Sequence, residues 1–215
     1  MALGLILSAA EGGAASWTTV EVRWFVRGKA PACLMTWFAD DDPATDIQSP
    51  RVDHYLRLPE IDGLGIKIRE GRLEIKRRYA SESAVLTPRV AGLVELWRKW
   101  GAGPVDDDSS FASDVAWVAV EKTRRLRTYR VAPDGTVAPS GRSVTPSGEC
   151  SVELTEAVVD GQRWWTLGFE ALGEEAALRR TLDAVARHVL GEMPETTLAL
   201  DASYGYPRWL QLVAG

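Results

Sequence analysis

Across residues 64–79 polar and apolar side chains alternate with a period of two on both arms of a Glu70-Gly71 turn. Lys67 and Arg69 share one face of the first arm, with Ile66 and Ile68 on the other. On the returning arm Glu74, Lys76 and Arg78 lie opposite Leu73 and Ile75. This periodicity predicts a β-hairpin. It also poses the question that governs the fold, because one face of the sheet is densely charged and must either meet solvent or line something.

The same alternation recurs elsewhere. Thr19, Glu21 and Arg23 oppose Val20, Val22 and Trp24 in a strand over residues 17–27. Further strands are expected at 52–58, 114–122, 125–132, 150–159 and 163–171, the last two joined by an Asp160-Gly161 turn. Loops are expected at 40–43, 48–50 and 106–110. Residues 31–38 read as a short helix with Pro31 near its first turn. Residues 90–100 read as a second helix, with Leu93, Leu96, Trp97 and Trp100 at helical spacing. Residues 174–190 give the clearest helix. Leu178, Leu182, Val185, Ala186 and Val189 form its apolar stripe, and Glu174 and Glu175 sit at its positive end. The tail from Ser203 onward carries Tyr204, Tyr206, Trp209 and Leu210, which is apolar enough to dock on the body. The expected organisation is a flexible segment at 1–16 and a single domain at 17–215.

A net charge of −5 argues against nucleic-acid binding by overall charge. The bases are nevertheless gathered, at 64–78 and again at 121–130, as an acidic protein would do to build a local anion site. Cys33 and Cys150 have no CxxC partner and no His at zinc-ligand spacing, so they are expected as reduced, partly buried thiols. The N-terminal apolar run lacks a preceding Lys or Arg, and no stretch reaches the roughly 18–20 apolar residues of a membrane helix. The expected location is the cytoplasm, with no membrane partner. His54 and His188 read as packed or surface imidazoles, and Trp24, Trp117 and Trp165 as packing on apolar strand faces. No phosphate-cradling glycine loop, HExxH or GxSxG occurs.

Two geometries suit the charged faces. In a sandwich they face solvent and the apolar faces form the core. In a closed barrel the apolar faces pack outward under helices and the charges turn inward, where they must be paired or occupied.

The order of motifs resembles the CYTH superfamily, the triphosphate tunnel enzymes. The matching segments are Thr19-Val20-Glu21-Val22-Arg23, Val52-Asp53-His54-Tyr55, Lys67-Ile68-Arg69, Lys76, Lys122-Thr123-Arg124, and Leu167-Gly168-Phe169-Glu170 ahead of a helix. The resemblance spans residues 18–190 and rests on order and parity rather than on any one motif. It favours the barrel: an α+β fold, mainly an antiparallel closed tunnel of about eight strands with helices packed outside.

The resemblance implies a triphosphate or polyphosphate ligand, or a nucleotide-like anion, held by Arg23, Lys67, Arg69, Lys76, Arg78, Lys122 and Arg124. It implies Mg2+ or Mn2+ on Glu21 and Glu170, with Glu153 a third candidate, and metal-dependent phosphohydrolase chemistry. The chain departs from the pattern where chemistry is concerned: Thr19 and Gly168 stand where the family carries glutamates, and Arg23 where it carries lysine. No catalytic residue is assigned. A binding module that has lost the metal site is therefore a second reading. A third is an interaction scaffold, with Trp209 and the tail serving a partner or a homodimer; internal ion pairs blocking the tunnel would support it.

Overall fold

The computed structural model describes residues 16–40, 45–104, 116–141 and 148–213. Ten strands form along the chain: β1 (Ser16–Arg27), β2 (Asp46–Ile47), β3 (Arg51–Leu56), β4 (Leu64–Arg69), β5 (Arg72–Thr87), β6 (Val90–Pro104), β7 (Trp117–Val131), β8 (Val137–Pro139), β9 (Glu149–Val159) and β10 (Gln162–Leu172). Helix α1 (Ala32–Asp40) follows β1, and α2 (Glu175–Glu192) and α3 (Tyr206–Val213) follow β10. The expected segment 1–16 and the loop at 106–110 lie outside the described residues, apart from Ser16, which opens β1. The expected loop at 40–43 falls there too, except for Asp40 at the end of α1.

Every strand pairing is antiparallel. The order runs β7-β3-β4-β5-β6-β1-β10-β9, and pairing of β9 back onto β7 closes an eight-stranded barrel, with β2 and β8 as additional strands on β7. Closure leaves the barrel no free edge.

Strand parity decides what each face meets. On β1, Val20, Val22 and Trp24 point outward and join Val152, Leu154, Leu167 and Phe169 in the main apolar core. α2 covers that surface with Leu178, Leu182, Val185 and Val189. Trp24 meets Phe169 edge-on, and its indole Nε1 donates to the Ala91 carbonyl at 2.8 Å. Trp165 lies in the same core. The core thus sits between the barrel wall and its helices, and the opposite parity of residues faces inward. The inverted geometry is the one adopted.

Two local expectations fail. Residues 90–100 form β6, not a helix. Gly92 carries the physical reason: a Cβ there would lie 2.6 Å from atoms of Trp24 and Val22 on the neighbouring strand. A glycine that permits such close approach belongs in a sheet and weakens a helix. The two strands expected at 114–122 and 125–132 are, within the described residues, one strand, β7, because it crosses the barrel obliquely, pairing β3 with one half and β9 with the other; residues 114 and 115 lie outside the described residues. The bases at its middle point to both sides, which masks the continuity. Arg125 faces outward to Glu156 while Arg124 faces in.

His54 is half-buried on the outer face of β3, and His188 on α2 packs edge-on to Tyr129. Cys150 is buried and Cys33 exposed, and both are free thiols. Cys33 was expected to be partly buried; its place in the first turn of α1 leaves it in solvent. No described helix is long and apolar enough to cross a membrane.

Candidate functional site

The hydroxyl of Thr19 and the side chains of Glu21, Arg23 and Phe25 follow one another along the inner face of β1 and mark out the interior from one end to the other. Phe25 lies at the closed end. There α3 crosses the barrel with Trp209 fully buried, stacked on Phe25 at 4.9 Å, and with Tyr206 stacked on Tyr55 at 5.2 Å. Val118, Val120, Ala157 and Val159 complete an apolar floor. The tail is thus a plug. The Trp209 ring is packed inside its own chain and is not displayed on the surface.

The charged residues occupy the space above the floor. Deepest is Lys122, whose ammonium donates to Asp53 Oδ2 at 3.1 Å and to the Tyr55 hydroxyl, and lies 3.9 Å from the Tyr206 ring centre. Burial pushes the Lys122 amine down to about 7, even though the Asp53 carboxylate opposes the shift. Asp53 also accepts from Arg51 at 2.9 Å. Burial alone would raise the Asp53 carboxyl, but Lys122, Lys67 and Arg51 together hold it well below the usual carboxylate range.

One layer up, Arg23 donates to Glu153 Oε1 at 2.9 Å and to the Thr166 hydroxyl at 2.8 Å. Arg124 grips the other oxygen of Glu153. Despite burial, these two guanidiniums keep the Glu153 carboxyl far below its ordinary value. Glu21 is bound by Lys76 at 3.1 Å and Lys99 at 2.7 Å, and Thr19 donates to it at 2.8 Å. Lys99 also reaches Glu170 at 2.7 Å.

Toward the other end, Glu74 is shared by Lys67 at 2.8 Å and Arg69 at 2.6 Å. Arg78 binds Glu95 at 2.8 Å and Asp62 at 2.7 Å. Side-chain exposure falls from 29% at Glu74 and 28% at Glu170 to 1% at Asp53 and 3% at Lys122. That gradient shows which end admits solvent among the described residues.

The barrel therefore brings all seven expected anion-binding bases (Arg23, Lys67, Arg69, Lys76, Arg78, Lys122 and Arg124) to its interior, each with a carboxylate partner. Sequence reasoning missed Lys99 and Glu95, because a helix at 90–100 hides their shared inward parity. It also missed Tyr206 as an interior residue.

Glu21, Glu170 and Glu153 do not fit a divalent cation as they stand. Glu21 and Glu170 already close around the Lys99 ammonium, and Glu153 is held by two guanidiniums. No group of three or more His, Cys, Asp or Glu side chains suited to a metal occurs among the described residues.

No protein-family model matches the chain. No significant match to a curated protein is found either.

Proposed function

We propose that this protein binds a triphosphate- or polyphosphate-type anion inside its barrel, as a binding module. One observation carries this reading: four interior carboxylates, Asp53, Glu74, Glu153 and Glu21, each serve two bases. Among the described residues, Lys99 alone holds two interior carboxylates; Arg78 holds Glu95 inside and the more exposed loop residue Asp62. The interior is left with surplus positive charge that a polyanion can satisfy, and a low-dielectric wall strengthens such attraction.

Two buried polar atoms support the same reading. Arg124 Nε and the Tyr206 hydroxyl have no hydrogen-bond partner within the described protein. Buried donors are normally satisfied, so both suit an incoming acceptor oxygen. Lys67 and Arg69 share Glu74, which at 29% exposure is the most solvent-accessible of these four carboxylates. There they can meet the ligand first and exchange Glu74 for phosphate oxygens. Arg side chains match phosphate in two-pronged geometry. The cytoplasm suits this role, because such anions and free thiols coexist there.

The ion pairs themselves favour a second reading. A barrel whose charges satisfy one another can serve as a scaffold and need no ligand. Calorimetric titration with inorganic triphosphate decides between the two. Binding that weakens steeply with salt, and falls about tenfold in Lys67→Ala/Arg69→Ala, supports the anion site. No heat and no thermal stabilisation would leave the scaffold. Phosphate release measured alongside, with Mg2+ or Mn2+, tests hydrolysis directly.

A further inference from the structure

The cross-strand register of β1 and β10 sets Glu21 directly opposite Glu170, both facing inward. β6 then delivers Lys99 between them, with its Nζ 2.7 Å from an oxygen of each. This ammonium stands where a cation bridging the two carboxylates would sit. The remaining capacity of Glu21 is taken by Lys76 and by the Thr19 hydroxyl. Burial opposes the charge on Lys99, yet the two carboxylates overcome it and hold the amine well above its ordinary range, so it stays an ammonium at neutral pH.

A second cation is fixed in the same way one layer deeper. Arg23 lies against Gly168, its cross-strand partner, and a Cβ at Gly168 would come within 2.5 Å of the guanidinium carbon. The guanidinium fills the volume that a carboxylate side chain on that strand would need, and it neutralises Glu153 instead.

We propose that Lys99 and Arg23 are resident, tethered cations that replace a divalent metal at these carboxylates, and that the protein takes its phosphate ligand in the metal-free form. A bridging Mg2+ would bring two charges to the carboxylate pair and to a phosphate together. A lysine brings one, already spent on two carboxylates, so neutralising the ligand falls to bases such as Lys67, Arg69 and Arg124. Dissolved Mg2+ then competes with the protein for the polyanion rather than assisting it. The ligand half of this inference rests on the anion-site reading above; the resident-cation half stands without it.

The test begins with Mn2+ alone, followed by its paramagnetic signal, on wild type, Lys99→Ala, Lys99→Arg and Lys99→Ala/Glu21→Gln. The expected result is no stoichiometric uptake by wild type or Lys99→Arg, one Mn2+ per chain in Lys99→Ala, and loss of that site in the double variant. Stoichiometric uptake by wild type that Glu21→Gln abolishes overturns the proposal, and this arm needs no Lys99 variant to fold. A folded Lys99→Ala protein that takes up no Mn2+ overturns it as well. Titration of wild type with inorganic triphosphate then reads the ligand half. Apparent affinity should fall about tenfold with excess Mg2+, and an increase would overturn it. If triphosphate does not bind at all, the anion-site reading and the ligand half fall together, while the Mn2+ arms still decide the fate of the resident cations.

Discussion

Arg23 and Gly168 are cross-strand partners, and the guanidinium of the first occupies the space any side chain at the second would need. The contact is with the far end of a flexible side chain, but that end is anchored to Glu153 and Thr166. Gly168→Ala must therefore dislodge a paired guanidinium. The expected cost is about 1–3 kcal/mol in denaturant unfolding. Arg23→Ala/Gly168→Ala should cost less than the two single changes added together. Strict additivity in that double-mutant cycle would show that the two residues do not compete for one volume.

Acid should unfold this protein through its interior. Glu21, Asp53 and Glu153 all have carboxyls held below their ordinary values. A carboxylate depressed in the folded state adds stability above its unfolded value, about 4, and loses it as pH falls toward the folded value. The melting temperature should be flat near neutrality on the acid side and drop steeply below about pH 4. A melting curve unchanged down to pH 2 would contradict the pairing described.

Above neutrality stability should again rise with pH, this time through two lysines. Burial holds Lys122 down to about 7 and Lys67 down to about 8. Between those values and the ordinary lysine range near 10.5, the unfolded chain binds more protons than the folded one, so these groups make stability rise with pH. Lys99 is shifted upward and loses nothing in this window. Melting temperature should climb by about 3 °C from pH 7 to 9.5 and the climb should shrink in Lys122→Met. An identical slope in the variant would remove Lys122 as its source.

Trp209 plugs the barrel floor with its side chain fully buried against Phe25, Trp164 and Tyr206. Trp209→Ala should destabilise the fold by about 3–5 kcal/mol. Urea unfolding followed by far-UV circular dichroism reads this directly. A loss below about 1 kcal/mol would mean the tail adds little to the floor.

The two thiols should separate cleanly. Cys33 is exposed, whereas Cys150 is buried and its thiol is pushed well upward by desolvation. Titration with an aromatic disulfide reagent should find one reactive thiol in the native protein and two in denaturant. Two fast thiols without denaturant would place Cys150 in solvent.

The hairpin at 64–79 shows how far pattern alone reaches. Its alternation located Lys67, Arg69, Lys76 and Arg78 on one face, and that face lines the interior as the motif order implied. β6 shows the limit. Trp97 points inward as a platform beneath Lys76, 4.2 Å from its ring centre, so apolar residues fall on both faces and the period of two is blurred into a helical one. Lys99 and Glu95 were lost with it. Arg23 was legible as an inward base, but its partner was not, because Glu153 lies two strands away across β10.

Parity is a local property: within a strand each side chain's face follows from its neighbour's, so the amino-acid order by itself determined which residues share a face and that the charges form continuous rows. Closure, register and docking are non-local. Only the tertiary structure turned those rows inward by pairing β9 with β7, set Glu21 opposite Glu170, drove Lys99 between them and stopped one end with Tyr206 and Trp209. Each of these arrangements depends on segments far apart in the chain meeting at one offset, and a shift of one residue would reverse every face.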